Sequence, residues 1–173
     1  MEDILGLELQ AVAAVDENWG LGREGRLLAR VAPDMKRFRQ LTTGQRVIYG
    51  RKTLATFPEE KPLPARENIL LTHDPHFQAE GIVPVHSLAE LERLLRQRQA
   101  AEPKINFVIG GAEVYRQLLP WCSQAHITLL HRTFPADRFL PPLSGRSDWC
   151  LDRCDGPYEW QGLSYSFCTY KRA

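Results

Sequence analysis

The segment Ala32-Pro33-Asp34-Met35-Lys36-Arg37-Phe38-Arg39-Gln40-Leu41 decides the fold, because its pattern predicts the helix around which the other elements are arranged. Pro33 suits the first turn of a helix, where its missing N–H would have no partner. Asp34, Phe38 and Leu41 are spaced i, i+4 and i+7, so they share one face of that helix. Asp34 is then either an exposed acid favoured by the helix dipole or a buried acid that receives a cationic or hydrogen-bond-donating ring. The spacing alone leaves both interpretations open.

The composition predicts a single globular domain over residues 1–173. The chain has 173 residues, of which 43% are hydrophobic, and this is enough for a sizeable core. Its net charge of +1 gives no overall attraction to nucleic acid or to an anionic membrane, so we expect neither as a partner. The apolar runs are shorter than the roughly 18 residues that a membrane-spanning helix needs.

The cysteine and N-terminal patterns predict a cytoplasmic protein. Residues 1–6 are acidic and lack the basic start and the long apolar stretch of a signal peptide. Cys122, Cys150, Cys154 and Cys168 form no C-x-x-C pair, and the histidines show no metal-ligand spacing. We therefore expect free thiols in a reducing compartment and no metal site.

Two glycine-containing turns that lead directly into predicted helices indicate phosphate binding. The first helix begins with Arg51-Lys52-Thr53, immediately after a short buried strand and Gly50. Cations are disfavoured at the positive end of a helix dipole unless an anion binds there. The second helix follows the apolar strand 105–109 and Gly110-Gly111. From the residues alone, solvated charges at the first start and an ordinary tight turn at the second are the alternatives.

The rest of the pattern predicts an α/β fold. Buried strands alternate with predicted helices, and these strands are residues 7–15, 46–50, 67–72, 82–85, 105–109 and 125–130. The tail 149–170 predicts two strands joined around residues 155–157. The glycine-rich segment 16–25 is either a loop that approaches a ligand or moves, or an ordinary surface loop. We expect a mainly parallel twisted central sheet of about eight strands, with an antiparallel C-terminal edge strand and helices on both faces.

Six short motifs, in order and at the right spacing, resemble those of dihydrofolate reductases, and the resemblance covers the chain from Leu9 to Lys171. The motifs are Ala13-Ala14-Val15-Asp16 with Asn18-Trp19-Gly20-Leu21-Gly22, Pro33-Asp34-Met35 with Phe38, Thr42-Thr43-Gly44, Ile48-Tyr49-Gly50-Arg51-Lys52-Thr53, Pro62-Leu63-Pro64-Ala65-Arg66-Glu67-Asn68-Ile69, and Ile109-Gly110-Gly111-Ala112-Glu113-Val114-Tyr115. The resemblance implies NADPH-dependent reduction of 7,8-dihydrofolate to 5,6,7,8-tetrahydrofolate, with a hydride to pterin C6 and a proton to N5. It also implies NADPH as cofactor, antifolates such as methotrexate or trimethoprim as ligands, and a monomer.

By the same resemblance, Asp34 is the acid of the pterin pocket and accepts hydrogen bonds from the pterin 2-amino group and N3. Burial should raise the pKa of this carboxyl, and Thr128 matches the threonine that supports it. Asp34 would promote protonation of N5 without contacting it, and Leu28 completes the implied catalytic set. Arg66 matches the arginine that binds the α-carboxylate of the glutamate tail. The implied substrate contacts are Val12, Ala13, Asp34, Phe38, Phe57, Leu63, Arg66, Ile109, Tyr115 and Thr128.

The resemblance also interprets the two glycine-to-helix starts. The Arg51-Lys52-Thr53 segment would meet the adenosine 2′-phosphate and the pyrophosphate, with Thr72 and His73 beside the 2′-phosphate. The Gly–Gly peptide of the family is cis, so we expect a cis bond between Gly110 and Gly111. Residues 18–26 would form a lid that excludes water. The implied cofactor contacts are Ala14, Leu21, Gly22, Gly50, Arg51, Lys52, Thr53, Thr72, His73, Ile109, Gly110, Gly111, Ala112, Glu113 and Val114.

Three positions depart from the family pattern. Ala29 stands where many relatives carry a tryptophan that helps to hold a water near the pterin. Pro33 lies directly before Asp34, whereas relatives often place the proline one residue earlier. Tyr49 replaces a commonly apolar residue, so its hydroxyl needs a partner if it is buried.

Two other functions are compatible with parts of the pattern. One is a reductase of the same fold that acts on the pyrimidine intermediate of riboflavin synthesis. The other is a non-catalytic nucleotide-binding relative that lost turnover through the change at Ala29. Binding of folate analogues separates the first from a dihydrofolate reductase, and turnover separates the second.

Overall fold

The computed structural model describes residues 6–173, which form one eight-stranded and one three-stranded sheet. Residues 1–5, which carried most of the sequence argument against a signal peptide, lie outside the described part. The strands are β1 (Leu9–Val15), β2 (Gly20–Arg23), β3 (Arg26–Leu27), β4 (Arg46–Gly50), β5 (Glu67–Leu71), β6 (Ile82–Val85), β7 (Asn106–Gly110), β8 (Gln124–Leu130), β9 (Arg138–Phe139), β10 (Trp149–Trp160) and β11 (Leu163–Arg172). The helices are α1 (Ala32–Thr42), α2 (Arg51–Leu54), α3 (Leu88–Ala101) and α4 (Ala112–Leu118). Over residues 6–173, no helix is both long enough and apolar enough to cross a membrane.

The large sheet has the strand order β10-β11-β8-β1-β7-β4-β5-β6. The six strands from β8 to β6 are paired in parallel, whereas β11 is antiparallel to β8 and β10 is antiparallel to β11. The nearly continuous apolar runs of β1, β4 and β7 place these strands in the middle, where both faces are covered. The predicted fold class is confirmed.

Alternate residues of β1 pack on opposite faces of the sheet, as the period of two of a strand requires. Ala11 and Ala13 belong to the core cluster that also contains Leu91 of α3 and Leu118 of α4. Val12 packs instead against the second cluster, together with Leu41 of α1. Because α1 lies on the other face from α3 and α4, the sheet separates the helix that carries Asp34 from these two helices.

The helix predicted from the opening segment is present as α1. Its first turn contains a proline and one acidic residue, Asp34, and no side chain caps its N-terminus. At the other end, the Thr43 amide donates to the Arg39 carbonyl at 3.0 Å. Gly44 follows with φ +82°, a conformation that glycine adopts without a steric penalty.

The predicted turn at residues 155–157 is wrong. These residues lie inside β10, and the chain reverses at Gln161 and Gly162, which both have positive φ. Asp-Gly-Pro is typical of turns, but here the β10–β11 register shifts between Asp155 and Tyr158, so the extra residues form a bulge. The Gly156–Pro157 peptide bond is cis.

The prediction that all four thiols are free is also wrong. Cys154 and Cys168 are directly opposite in the β10–β11 register and form a disulfide, with their Cα atoms 4.1 Å apart. Their sequence separation of 14 did not reveal this pairing, because the pairing depends on where the hairpin turns. Cys122, which is buried, and Cys150, which is exposed, are free.

The glycine-rich segment 16–25, predicted to be a loop, contains regular structure. Strands β2 and β3 form a hairpin, and β9 pairs with β2 to complete the small sheet. Gly22 is required in this hairpin, since a Cβ at this position would lie 2.5 Å from the Arg26 carbonyl oxygen. Sequence analysis could not predict the third strand of this sheet, because the β2–β9 pairing joins residues more than 100 positions apart.

Candidate functional site

Asp34 lies in the first turn of α1, with its carboxyl directed towards the central sheet. The Thr128 hydroxyl donates a hydrogen bond to Asp34 Oδ1. Thr128 is only 3% exposed and is paired with Ala14 of β1 in the parallel β1–β8 register. The sheet therefore fixes the threonine, and the threonine fixes the carboxyl.

The surroundings of Asp34 change the pKa of its carboxyl in two opposing ways. Burial raises the pKa of this carboxyl above its ordinary value, whereas the Thr128 hydrogen bond and the Arg37 guanidinium act in the opposite direction. The effect of burial is the largest, so the pKa is raised overall. Of the two interpretations that the spacing left open, the half-buried acid is the observed one.

Apolar residues from several strands, helices and loops form one cluster on the α1 face of the sheet. Four predicted substrate contacts pack on it, and they are Val12, Phe57, Leu63 and Ile109. The Tyr115 hydroxyl donates to the Val12 carbonyl oxygen at 2.5 Å. Ala13 packs into the core on the opposite face, so only its backbone can serve the site. Phe38, on α1, and Leu28, at the bend after β3, are each half-buried.

Asn68 organises the proline-rich loop that carries Leu63 and Arg66. Its amide group binds the Leu63 N–H at 2.9 Å, the Leu63 carbonyl at 2.9 Å and the Arg66 carbonyl at 3.0 Å. The Tyr49 hydroxyl completes the set with a 2.8 Å hydrogen bond to Asn68 Oδ1. The predicted need of Tyr49 for a partner is thus met. Sequence analysis gave Asn68 no role, although a polar residue within the strand predicted over 67–72, directly before the apolar run Ile69-Leu70-Leu71, was a usable signal.

Arg66 is held against the end of α1. Its Nε donates to the Pro64 carbonyl at 2.9 Å, and its Nη1 donates to Thr42 Oγ1 at 3.0 Å. Burial, followed by the nearby Arg39 guanidinium, lowers the pKa of Arg66 from its ordinary value. Two neighbouring cations with spare donors can bind an anionic ligand, and a guanidinium suits a carboxylate in particular.

The two glycine-to-helix starts lie against each other. A Cβ on Gly110 would be 3.0 Å from Thr53 Oγ1, and a Cβ on Gly50 would be 3.1 Å from Val114 Cγ2. The predicted cis bond between Gly110 and Gly111 is present. The contact between the starts of α2 and α4 therefore depends on glycine, which leaves backbone groups unobstructed by side chains.

Gly50, Gly110 and Gly111, with the starts of α2 and α4, form a glycine cradle. Basic side chains surround this cradle. Arg51 is stacked on Phe77, with its guanidinium carbon 4.6 Å from the ring centroid, and reaches Asp74 at 3.5 Å. Lys52 and His73 are exposed, and His73 is close enough to Glu113 to lower the pKa of that carboxyl, after the larger effects of Arg116 and Gln117. Exposed cations beside open backbone amides fit a phosphate-bearing dinucleotide.

Two predicted cofactor contacts have side chains that are occupied elsewhere. The Thr72 hydroxyl accepts the Asp74 N–H at 3.1 Å. The Glu113 carboxylate binds Arg116 and Gln117 on its own helix, so its backbone is the part that remains available to a ligand. Sequence patterns identified these positions but could not show which of their atoms are already bonded.

The small sheet is anchored by two aspartates that sequence analysis did not assign to the site. Asp16 is fully buried and accepts the Asn18 and Gly20 amides at 2.9 and 2.8 Å through Oδ1, and the Phe134 amide at 2.9 Å through Oδ2. Asp137 accepts the Glu24 amide at 2.9 Å. These bonds tie the proposed lid to the segment that directly precedes β9.

This fold and this site define a class, namely α/β enzymes that pair a nucleotide cradle with an acid-containing apolar pocket. Comparison with known proteins gives the family. The dihydrofolate reductase family model matches residues 8–172. The dihydrofolate reductases of Bacillus subtilis and Neisseria meningitidis are 30% and 31% identical to the chain, and the matches cover 89% and 96% of this chain and 91% and 99% of theirs.

Further comparisons agree with this family. A solved structure of dihydrofolate reductase from Enterococcus faecalis, complexed with NADP(H) and RAB-propyl, matches with a TM-score of 0.80 and 31% identity over 97% of this chain and 98% of that one. The bifunctional dihydrofolate reductase-thymidylate synthase of Glycine max is 32% identical over 94% of this chain, which spans only 33% of that protein. The chain belongs to the dihydrofolate reductase family and is an NADPH-dependent reductase of 7,8-dihydrofolate.

Substitution of Gly110 by alanine should weaken NADPH binding by about 10- to 100-fold, because φ +134° and the Thr53 contact oppose a side chain there. Fluorescence titration with NADPH measures the change. Gly44→Ala is the matched control, since Gly44 also has a positive φ but a Cβ would meet nothing within 4 Å. Both variants should be less stable to urea. Equal losses of NADPH affinity in the two variants would contradict the role of Gly110 in NADPH binding.

Proposed function

We propose that Asp34 is the residue that orients 7,8-dihydrofolate for reduction. The observation that supports this role is the hydrogen bond from Thr128, which holds one half-buried carboxyl beside an apolar cluster. A carboxyl accepts hydrogen bonds from a 2-amino group and a ring N–H together, which is the pattern that the pterin presents. The acid thereby holds the ring, and its proton affinity promotes protonation of N5 without direct contact.

Backbone and apolar groups complete the pterin site in this proposal. The Val12 carbonyl, held by Tyr115, faces the site as a fixed acceptor, and Ala13 contributes its backbone. Phe57, Leu63 and Ile109 form walls for the pterin and the aminobenzoyl ring, because they already share one apolar cluster. The remaining proposed contacts to the apolar parts of the substrate are Phe38 and Leu28.

The cofactor site is assigned to the glycine cradle. When bound, NADPH supplies the hydride for pterin C6. Arg51, Lys52 and Thr53 would hold its phosphates together with Thr72 and His73, and the backbone of residues 110–114 would lie along the pyrophosphate. The residues that complete the proposed set are Ala14, Leu21, Gly22, Gly50 and Ile109. The lid formed by residues 18–26 would exclude water while the proton is delivered.

The hydrogen bond between Thr128 and Asp34 forms although position 29 is alanine and not tryptophan. Ala29 packs against the cluster of Val31, Leu130, Leu163 and Tyr165, beside rather than within the Asp34–Thr128 pair. A water near the pterin would therefore be held by other groups than an indole. The pyrimidine-reductase alternative is not favoured, since it requires neither Asp34 nor Arg66 at these positions.

The same site assignment predicts ligands and surroundings. Antifolates such as methotrexate or trimethoprim carry diaminopyrimidine-type rings that would compete for Asp34. The proposed cellular state is a cytoplasmic monomer that needs neither nucleic acid nor a membrane as a partner. Size-exclusion chromatography with light scattering tests the monomer, and competition with dihydrofolate tests the antifolates.

Asp34→Asn should lower kcat for 7,8-dihydrofolate by about 10²- to 10⁴-fold at pH 7, because the amide cannot promote protonation of N5. The rate should recover in part at low pH, where the substrate is already protonated. Consumption of NADPH measures both effects. Asp152→Asn is the control, because it removes the same charge from an exposed carboxyl that binds Lys171 at 3.3 Å.

Full activity of the Asp34→Asn variant would show that the Asp34 carboxylate is not needed for the reaction. Wild-type protein that binds NADPH but does not consume it with dihydrofolate would contradict the substrate assignment itself. The first result leaves the family assignment unchanged, so the two failures are distinguishable.

Arg66→Lys should raise KM for 7,8-dihydrofolate by about 10- to 100-fold, because a lysine cannot replace the two-pronged guanidinium, whose charge-assisted bonds are worth roughly 1.5–3 kcal/mol. Steady-state kinetics measure the change. A dihydropterin that lacks the glutamate tail is the matched control substrate, and its KM should stay within about twofold, as expected when a mutation removes only tail binding. An equal rise for both substrates would show that Arg66 supports the pocket generally.

A further inference from the structure

Arg37 is a half-buried cation one helical turn after Asp34, and no role was assigned to it above. Its guanidinium carbon lies 4.3 Å from the centroid of the Phe167 ring. Cation–aromatic stacking of this kind holds a guanidinium in place. Because residues three apart lie on the same side of a helix, Arg37 and Asp34 both face the sheet.

The ring that holds Arg37 is connected through the sheet to the acid. Phe167 of β11 is directly opposite Thr128 of β8, so the two side chains share a face of the sheet. Thr128 in turn binds Asp34. The cation and the acid are therefore held against the same two strands, β8 and β11. The contacts that hold them are Arg37 on Phe167 and Asp34 with Thr128.

The hairpin keeps Phe167 at this place. Phe167 pairs with Asp155 of β10, and the next pair along the hairpin is the disulfide between Cys154 and Cys168. The Tyr158 ring also packs on Phe167, with the centroids 5.8 Å apart. The aromatic platform is therefore covalently and sterically tied to its neighbours.

The charged and titratable groups around Asp34 lie on α1, α4 and β11. Arg37 faces it from α1, Tyr115 from α4 and Tyr165 from β11, and burial raises the pKa of both tyrosines, so they stay neutral near pH 7. Thr128 faces it from β8. Among the described residues that influence Asp34, Arg37 is therefore the one that carries a positive charge.

Other groups face Arg37 but do not neutralise it. His126 of β8 hydrogen-bonds Gln10 at 2.7 Å, and burial lowers its pKa to about 4, so it is neutral near pH 7. Asp155 of β10 also attracts Arg37, but it forms its ion pair with Arg153 at 3.0 Å. The Tyr158 ring also lies near Arg37.

We propose that Arg37 is a positioning residue for the reaction, because its cation, held on the Phe167 ring, stabilises the Asp34 carboxylate that orients the substrate. The proposal rests on the role of Asp34 proposed above. A cation lowers the proton affinity of every nearby group, so removing it must raise that affinity, at the carboxyl and at pterin N5 alike. The direction of the expected change is thus fixed by electrostatics.

The test measures the ionisation of Asp34 with and without the cation. Carbon-13 NMR of aspartate-labelled free protein follows the Asp34 carboxyl against pH, with Asp34→Asn used to assign its signal. Arg37→Gln should raise the titration midpoint by about one pH unit. Arg37→Lys, which keeps the charge, should restore the midpoint to near the wild-type value.

Lys36→Gln is the matched control, because it removes an equal charge from an exposed position on the same helix and should not move the midpoint. Phe167→Leu is a second variant that leaves Arg37 in place but removes its platform, and it should move the midpoint in the same direction by a smaller amount. Phe167→Leu also tests the proposal if Arg37→Gln fails to fold.

Single-turnover hydride transfer provides the second readout. In Arg37→Gln, the pH at which the rate falls by half should rise together with the NMR midpoint. An unchanged midpoint in Arg37→Gln and Phe167→Leu, or an equal shift in Lys36→Gln, would overturn the proposal. A shifted midpoint in a protein that does not reduce dihydrofolate would uphold the role of Arg37 and contradict the proposed function.

Discussion

The hydrogen bond from Thr128 to Asp34 is the interaction on which the site depends. It joins the first turn of α1 to a strand that lies between β1 and β11 in the large sheet. A carboxyl in a partly apolar place is costly to ionise, and this bond both offsets that cost and fixes the direction of its oxygens. The sheet order, the helix entry through Pro33 and the fold of the C-terminal hairpin all serve to bring these two side chains together.

Much of the fold could be predicted, because local patterns determine it. The i, i+4, i+7 spacing that begins at Asp34 predicts α1, and the nearly continuous apolar runs predict central parallel strands. Two adjacent glycines do not by themselves predict a cis peptide bond. The family motif around Gly110 and Gly111 does predict it, and the expected cis bond is present. The raised pKa of Asp34 also follows from its placement on the apolar face of the helix.

The parts that could not be predicted depend on pairing between distant residues. The turn expected at residues 155–157 is a bulge, because the strand partners that decide this lie on β11. The disulfide between Cys154 and Cys168 follows from the same register and was missed for the same reason. Arg37 is stacked on Phe167, a ring 130 positions away in sequence, so nothing in its own segment indicates this contact.

A double-mutant cycle over Asp34→Asn and Thr128→Val tests most directly whether the acid and its threonine act as one unit. The quantity to measure is kcat/KM for 7,8-dihydrofolate in the wild type, both single variants and the double variant. We predict that the double variant is hardly worse than Asp34→Asn alone, which corresponds to a coupling energy of about 1–2 kcal/mol. Losses that multiply independently would contradict the dependence of Asp34 on Thr128.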